Sequence, residues 1–308
     1  MLVGKRVLDF VKLGRPKFLL GGCAFYGLGA ALAGIDHAPL RLRAFVWGQA
    51  IVTSTQLMTH YSNDYFDLAA DRANTTPTRW SGGSRVLPSG ALSPRVALVA
   101  ASAFAVVSLG LASWFASNDG SPPLLLPFWL LVMAIAWSYS SPPLRLLGRG
   151  LGELATVLVV TVFTPLLGFY LQCGAVERSL FLVCLPLCAL QFSMLLTIEL
   201  PDRAGDAASG KRTLVVRWGE RSGARAGAAL IAVAFVSLPL LVWGGLPWNI
   251  AATSALVAPL GVWQAMRLWR DTSGSSARFE SLAAGSVGLL FLMAVAELSG
   301  TLISWRYR

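Results

Sequence analysis

Long apolar runs separated by short polar segments dominate the chain. Nine runs have about the length, roughly 20 residues, that a helix needs to cross a hydrocarbon core of about 30 Å. We place them at residues 17–35, 43–62, 94–116, 122–140, 151–171, 179–200, 224–243, 248–267 and 280–304. This pattern predicts an all-α, polytopic membrane bundle of nine transmembrane helices around a central cavity, forming one domain over residues 1–308.

The composition agrees with a membrane protein. Of the 308 residues, 55% are hydrophobic and only 13% are charged, whereas an ordinary soluble domain carries about 25% charged residues. The mean hydropathy is +0.63.

The net charge of +10 follows a topological pattern. With a cytoplasmic N-terminus, all but five of the 25 Lys and Arg residues fall on the inner side; the outer ones are Arg41, Arg43, Arg178, Arg306 and Arg308. Cytoplasmic loops carry such an excess of Lys and Arg. The charge therefore orients the protein in a membrane, which we expect to be a bacterial inner membrane, and it requires no nucleic acid partner.

Two inner-side loops are long and polar, over about residues 63–93 and 201–223. Each opens with aspartates four residues apart and continues into a Ser-Gly segment with basic residues. These segments are Ser81-Gly82-Gly83-Ser84-Arg85 and Ser209-Gly210-Lys211-Arg212. The repeated placement predicts two related four-helix units plus a ninth helix.

The acidic residues of the first loop share one helical face. If the second span continues as a helix, Asp67, Asp71 and Asp64 lie within about 100° of Asn63 around the axis. In the second loop Asp202 and Asp206 are four apart, and Glu199 would join them if the helix ran through Pro201, although a proline disfavours helix at the residue before it.

Such clustered carboxylates indicate a cation. Like charges so close raise one another's pKa unless a cation lies between them, and Mg²⁺ prefers oxygen ligands that include carboxylates and substrate phosphates. A solvated polar loop would explain either cluster alone, but two clusters at the exits of two spans favour a functional site. Neighbouring groups suited to a phosphate are Arg79, Arg85, Lys211 and Arg212, with Gly82, Gly83 and Gly210 exposing backbone N–H groups.

These motifs resemble those of the UbiA superfamily of intramembrane prenyltransferases, which also has nine transmembrane helices. Its NDxxDxxxD motif is matched by residues 63–71, its DxxxD motif by residues 202–206, and its GKxTL run by residues 210–214. The resemblance implies that Asn63, Asp67 and Asp71 bind one Mg²⁺ and that Asp202 and Asp206 bind a second. Both ions would bridge to a prenyl diphosphate. Asp64 belongs to the first motif and is included as a candidate metal ligand.

The resemblance extends to further residues. Arg15-Pro16 is similar to a pair that begins many family members. Tyr139 matches a family tyrosine that is often followed four residues later by a lysine. Here Pro143 occupies the lysine position, and the nearest cation is Arg145. We therefore assign catalytic roles to Asp71, Asp206, Tyr139 and Lys211. The residues assigned to diphosphate binding are Arg15, Arg79, Arg85, Arg145, Lys211 and Arg212.

The expected activity is Mg²⁺-dependent transfer of a prenyl group to an aromatic acceptor. The NDYFD, GGSRVL and GKRTL runs lean toward 1,4-dihydroxy-2-naphthoate, as in menaquinone synthesis. The short spacing of the second aspartate pair keeps 4-hydroxybenzoate, homogentisate, chlorophyllide, a glycerol ether and ribose phosphate as alternatives. A membrane carrier or lipid flippase is the alternative of a different class. Transporters tend to place ionisable residues near mid-bilayer, whereas here the acidic residues cluster at one face of the membrane, with Glu297 in the ninth span as the main exception.

Overall fold

The computed structural model of the chain describes residues 2–36, 40–117, 122–270 and 275–306, and within them every regular element is a helix. The all-α prediction is thus confirmed. The α-helices are α1 Leu2–Leu13, α2 Pro16–Asp36, α3 Leu42–Phe66, α4 Leu68–Ala73, α5 Pro94–Ala116, α6 Leu125–Ser138, α7 Gly152–Val157, α8 Thr164–Cys173, α9 Arg178–Glu199, α10 Arg203–Ala208, α11 Leu214–Trp218, α12 Glu220–Val236, α13 Leu238–Trp243, α14 Trp248–Ala255, α15 Ala258–Arg270 and α16 Ser276–Arg306. A 3₁₀ turn, Leu147–Arg149, precedes α7, and a π-helical turn, Leu158–Phe163, joins α7 to α8.

Six helical segments within the described residues are long and apolar enough to cross a membrane. They are Pro16–Ile35, Pro94–Ala116, Gly152–Cys173, Arg178–Glu199, Glu220–Trp243 and Ser276–Arg306. The protein is therefore an integral membrane protein, whereas the count of nine spans stays a prediction.

The other three predicted spans fall short for identifiable reasons. Helix α6 is apolar but has only 14 residues. The span predicted at 248–267 is divided between α14 and α15. Helix α3 has 25 residues, but its polar side chains Gln56, Thr59 and His60 face the interior of the bundle. A helix that lines a cavity needs fewer apolar residues than one surrounded by lipid, so its mean hydropathy is low.

Close backbone contacts hold the helices together. Helix α2 packs on α8, where a Cβ atom at Gly29 would overlap the Pro165 carbonyl and one at Gly168 would overlap the Tyr26 carbonyl. Small residues allow such close approach in membrane bundles. In each predicted four-helix unit the second span packs on the third, α3 on α5 and α9 on α12, and α16 packs on α2, α9 and α14.

The fold brings the two acidic loops together at one end of the bundle. The short helices α4 and α10 pack on each other, and a Cβ atom at Gly205 would lie 3.0 Å from the Asn74 backbone. Residues that are far apart in the sequence thereby form one site.

Candidate active site

A small polar cavity of about 100 Å³ lies between the two acidic stretches. Its lining includes seven polar residues from both loops and their helices: Asn63, Asp67, Asp71, Glu199, Asp202, Asp206 and Lys211. Most of these side chains are nearly buried; Asp67 and Asp71, for example, are each 8% exposed. The structure therefore assembles a concentrated set of oxygen donors with one ammonium group.

The first acidic stretch keeps helical hydrogen bonding where α3 ends and α4 begins. Helix α3 ends at Phe66, but the Asp67 N–H still donates to the Asn63 carbonyl and the Asp71 N–H to the Asp67 carbonyl, both at 2.9 Å. The Asn63 amide donates to Asp67 Oδ2 at 2.6 Å and to Ser140 Oγ at 2.8 Å. Asn63, Asp67 and Asp71 consequently face the same cavity.

Asp64 lies elsewhere. Its carboxylate is only 1% exposed and accepts hydrogen bonds from the Arg15 guanidinium and from the Ser84 hydroxyl. It does not line the polar cavity. Arg15 also donates to Asn63 Oδ1 at 3.0 Å. Asp64 therefore holds the Arg15 guanidinium at the edge of the polar cavity.

The second acidic stretch is tied to the first loop. Asp202 Oδ1 accepts from the Asn74 amide at 2.6 Å, and Asp202 Oδ2 accepts from the Gly82 N–H at 3.0 Å. Gly82 has a φ of +72°, a conformation that glycine adopts without strain. These bonds fix the distance between the two halves of the site.

Lys211 lies between the two stretches. Its Nζ is 3.0 Å from Asp67 Oδ2 and 3.3 Å from Asp206 Oδ1. Burial by itself would lower the pKa of Lys211, but these two carboxylates raise it above its ordinary value. The lysine therefore carries its charge at any working pH.

The aspartates hold their protons more tightly than usual. Burial, reinforced by neighbouring carboxylates, raises the pKa of Asp71 to about 7 and that of Asp202 to about 6, and burial also raises the pKa of Asp206. Among the described residues no three His, Cys, Asp or Glu side chains form a ready-made metal site. The excess of carboxylate over ammonium nevertheless fits a hard divalent cation, which would offset both the burial and the mutual repulsion that raise these pKa values.

The other residues predicted for diphosphate binding or catalysis occupy different positions. Tyr139 and Arg15 line the polar cavity. The Arg85 guanidinium donates to the backbone carbonyl of Asp71. Arg145 and Arg212 are exposed on the surface and line neither the polar cavity nor the larger one described below. Arg79 is exposed and pairs with Glu280, with Nε 3.9 Å from Oε1.

Two residues in or beside the site are additional to those predicted. Asn74 donates to Asp202 and follows Asp71 by three residues, so it continues the helical spacing of residues 63, 67 and 71. Glu153 at the start of α7 is 1% exposed, accepts from the Leu214 N–H at 2.7 Å and lies next to Glu199. A lone acidic residue at the mouth of an apolar span is a recognisable signal, because burying it there is costly.

A larger apolar cavity of about 550 Å³ adjoins the polar one. Arg15, Asn63 and Tyr139 line both cavities. The apolar cavity extends between α2, α3, α6, α9 and α16, and its lining residues Leu20 and Phe291 are 60% and 44% exposed. It is therefore open on the bilayer-facing side between α2 and α16.

The polar cavity joined to a lipid-facing apolar cavity indicates a membrane protein that binds an amphipathic ligand. Such a site suits an amphipathic molecule with a strongly anionic head and an apolar tail. Residues 22–295 match the UbiA prenyltransferase family, and the chain belongs to that family. It is accordingly a prenyltransferase, as the resemblance of its motifs predicted.

Relatives of known activity are similar over much of the chain. A digeranylgeranylglyceryl phosphate synthase of Natronomonas pharaonis is 29% identical over 302 residues, covering 97% of this chain and 98% of the relative. A 1,4-dihydroxy-2-naphthoate octaprenyltransferase of Bacillus subtilis is 25% identical over 212 residues, covering 67% of this chain and 65% of the relative. A UbiA homolog of Archaeoglobus fulgidus, solved with GPP and Mg²⁺ bound, has the same fold, with a TM-score of 0.63, 15% identity, and coverage of 94% of this chain and 99% of that one.

Proposed function

We propose that the protein catalyses Mg²⁺-dependent transfer of a prenyl group from a prenyl diphosphate to an acceptor within the membrane. The observation that carries this proposal is the position of Lys211 between Asp67 and Asp206, in a polar cavity that opens into an apolar one. The polar cavity suits a diphosphate with its metal ions, and the apolar cavity suits the prenyl chain.

The oxygen donors divide into two groups. Asn63, Asp67 and Asp71 would hold one Mg²⁺, and Asp202 and Asp206 would hold another. The A. fulgidus homolog bound to GPP and Mg²⁺ supports this choice of metal. Bound Mg²⁺ would supply Lewis-acid stabilisation of the negative charge that develops on the leaving diphosphate.

The chain's own groups complete the chemistry. Lys211 and Arg15 offer fixed positive charge to the diphosphate, and Asp64 keeps Arg15 in place. The apolar cavity keeps water away from the allylic carbon, where a cation would otherwise be hydrolysed. Tyr139 lies where the two cavities meet, and its ring face would stabilise positive charge on that carbon.

Two acceptors are suggested by the relatives and the motifs. The N. pharaonis relative, matched over nearly its full length, makes a glyceryl phosphate with two geranylgeranyl groups, which favours a glycerol ether acceptor. The NDYFD and GKRTL runs and the B. subtilis relative favour 1,4-dihydroxy-2-naphthoate. We place the glycerol ether first because that match covers more of both chains.

The activity test uses purified protein with a labelled prenyl diphosphate, Mg²⁺ and a panel of both acceptors. We expect diphosphate release and one labelled lipid product, both abolished by EDTA. A carrier or flippase would release no diphosphate. Product formed only with the naphthoate would overturn the order of the two acceptors while keeping the enzyme class.

The same assay tests the site residues. We expect Asp67→Asn and Asp206→Asn to lower kcat/KM by at least about 100-fold, because each change removes a charge worth several kcal/mol to the transition state. Glu220→Gln is the matched control, since Glu220 is half-exposed and pairs with Arg203 outside the polar cavity. Near-normal transfer by either aspartate variant would contradict the two-metal assignment.

A further inference from the structure

Besides its opening between α2 and α16, the apolar cavity has an inner end, which lies farthest from the polar cavity. On α6 its lining runs from Tyr139 back to Trp129, and on α3 from Asn63 back to Val52. At 1.5 Å per residue, these ten or eleven positions place the far end about 15 Å from the polar cavity. Two helices thus give the same depth.

Trp129 closes that end with a fixed side chain. It is 1% exposed, and its Nε1–H donates to Ser108 Oγ at 2.9 Å. Ser108 Oγ also bonds Thr55 Oγ1 at 2.7 Å and the Ile51 carbonyl at 3.3 Å. Since indole N–H can only donate and a carbonyl can only accept, Ser108 donates to Ile51 and the Thr55 hydroxyl donates to Ser108.

This arrangement satisfies every member of a fully buried group. Ser108 is 0% exposed and has its one proton and both lone pairs in use. Turning the indole away would leave its buried N–H without an acceptor, which is costly in an apolar interior. The ring position is therefore set by α3 and α5 as well as by its own helix.

Trp129 belongs to a packed apolar cluster. The cluster also includes Ala112, Phe115, Leu125 and Leu171, each between 0% and 6% exposed. A chain entering from the polar cavity therefore meets a packed wall at the indole.

We propose that Trp129, held by Ser108 and Thr55, is the residue that sets the length of the prenyl chain. This inference rests on the proposed function. An isoprene unit adds four bonds of about 1.5 Å and extends a chain by about 5 Å. A depth of about 15 Å therefore holds about three units, which corresponds to a farnesyl donor.

The test measures binding of non-hydrolysable S-thiolodiphosphates with two to eight isoprene units to purified protein in Mg²⁺. Trp129→Ala deepens the cavity, and we expect it to raise the affinity for six units relative to three by at least about tenfold, because further methylene groups become buried. Val132→Phe fills the cavity one turn nearer the polar end. It should lower the affinity for three units relative to two by a similar factor.

Two further variants sharpen the result. Ser108→Ala removes the acceptor that fixes the indole and should broaden the length profile in the same direction as Trp129→Ala. Trp243→Ala is the matched control, because Trp243 is 90% exposed and remote from the cavity lining. Its length profile should equal that of the wild type.

The profile is a ratio between ligands, so a general loss of stability does not change it. If long chains instead leave between α2 and α16, Trp129→Ala and Val132→Phe will keep the wild-type ratios, and the proposal for Trp129 is overturned. Binding does not require turnover, so these ratios are measured even if no acceptor is prenylated. Absence of transfer with every donor and acceptor would contradict the proposed function alone.

Discussion

Lys211 and the proposed Mg²⁺ would compete for the charge of the same carboxylates. The Lys211 ammonium lies within 3.3 Å of both Asp67 and Asp206, so it offsets part of the negative charge that attracts Mg²⁺. We expect Lys211→Gln to bind Mg²⁺ about tenfold more tightly, while kcat falls by about 100-fold because a charge that stabilises the leaving diphosphate is lost. Calorimetric titration with Mg²⁺, beside steady-state kinetics, measures the two effects separately.

A lysine remote from the carboxylates is the control for this prediction. Lys12 has a side chain that is 66% exposed, and Lys12→Gln should change neither quantity. A Lys211→Gln protein that binds Mg²⁺ more weakly than the wild type would contradict competition, and it would indicate that Lys211 instead arranges the metal ligands.

At the scale of residues, the sequence predicted which groups meet but not which way each one faces. The helical spacing correctly grouped Asn63 with Asp67 and Asp71 around one cavity. Asp64 falls at the edge of the same arc, and spacing alone cannot tell that Arg15 and Ser84 would draw it away. The exposed positions of Arg79 and Arg145 depend on the path of loops, which no periodicity describes.

At the scale of elements, glycines decide how closely α2 and α8 approach. A methyl group at Gly29 would overlap the Pro165 backbone, which cannot rotate away. We expect Gly29→Ala to lower the free energy of unfolding by about 2 kcal/mol, as overpacking does. Unfolding in a detergent titration provides the measurement.

The matched control is on the same helix. A Cβ atom at Gly27 would meet nothing within 4 Å, so Gly27→Ala should be neutral or stabilise by up to about 1 kcal/mol through helix propensity. Equal destabilisation by both substitutions would show that glycine serves helix flexibility here and not close packing.

The sequence predicted apolar helices more completely than polar ones. Helices in contact with lipid, such as α5 and α16, stand out by hydropathy. Helix α3 carries the polar lining of the cavity, so the run at residues 43–62 that predicts it is less apolar than the run that forms α5. The π-helical turn at Leu158–Phe163, which lines the cavity through Val159 and Val160, leaves no comparable signature in the residue pattern.

At the scale of the whole molecule, the candidate active site depends on two segments that lie far apart in the chain. The acidic motifs could be read from the sequence, and their shared side of the membrane followed from counting spans. The contact itself rests on α4 packing against α10 and on Asn74 and Gly82 holding Asp202. Distances of this kind come from tertiary packing and are not encoded in any local pattern.

The orientation of the bundle gives a final prediction. The distribution of Lys and Arg predicts that the acidic loops lie in the cytoplasm and the loop after α8 outside. In a protein with its four cysteines replaced, we expect Ala175→Cys to react with a membrane-impermeant maleimide in intact cells. Ser89→Cys should react only after the membrane is opened; both positions are exposed, so burial does not explain a difference. Reaction at Ser89→Cys in intact cells would show that the bundle has the opposite orientation, with the proposed diphosphate site facing away from the cytoplasm.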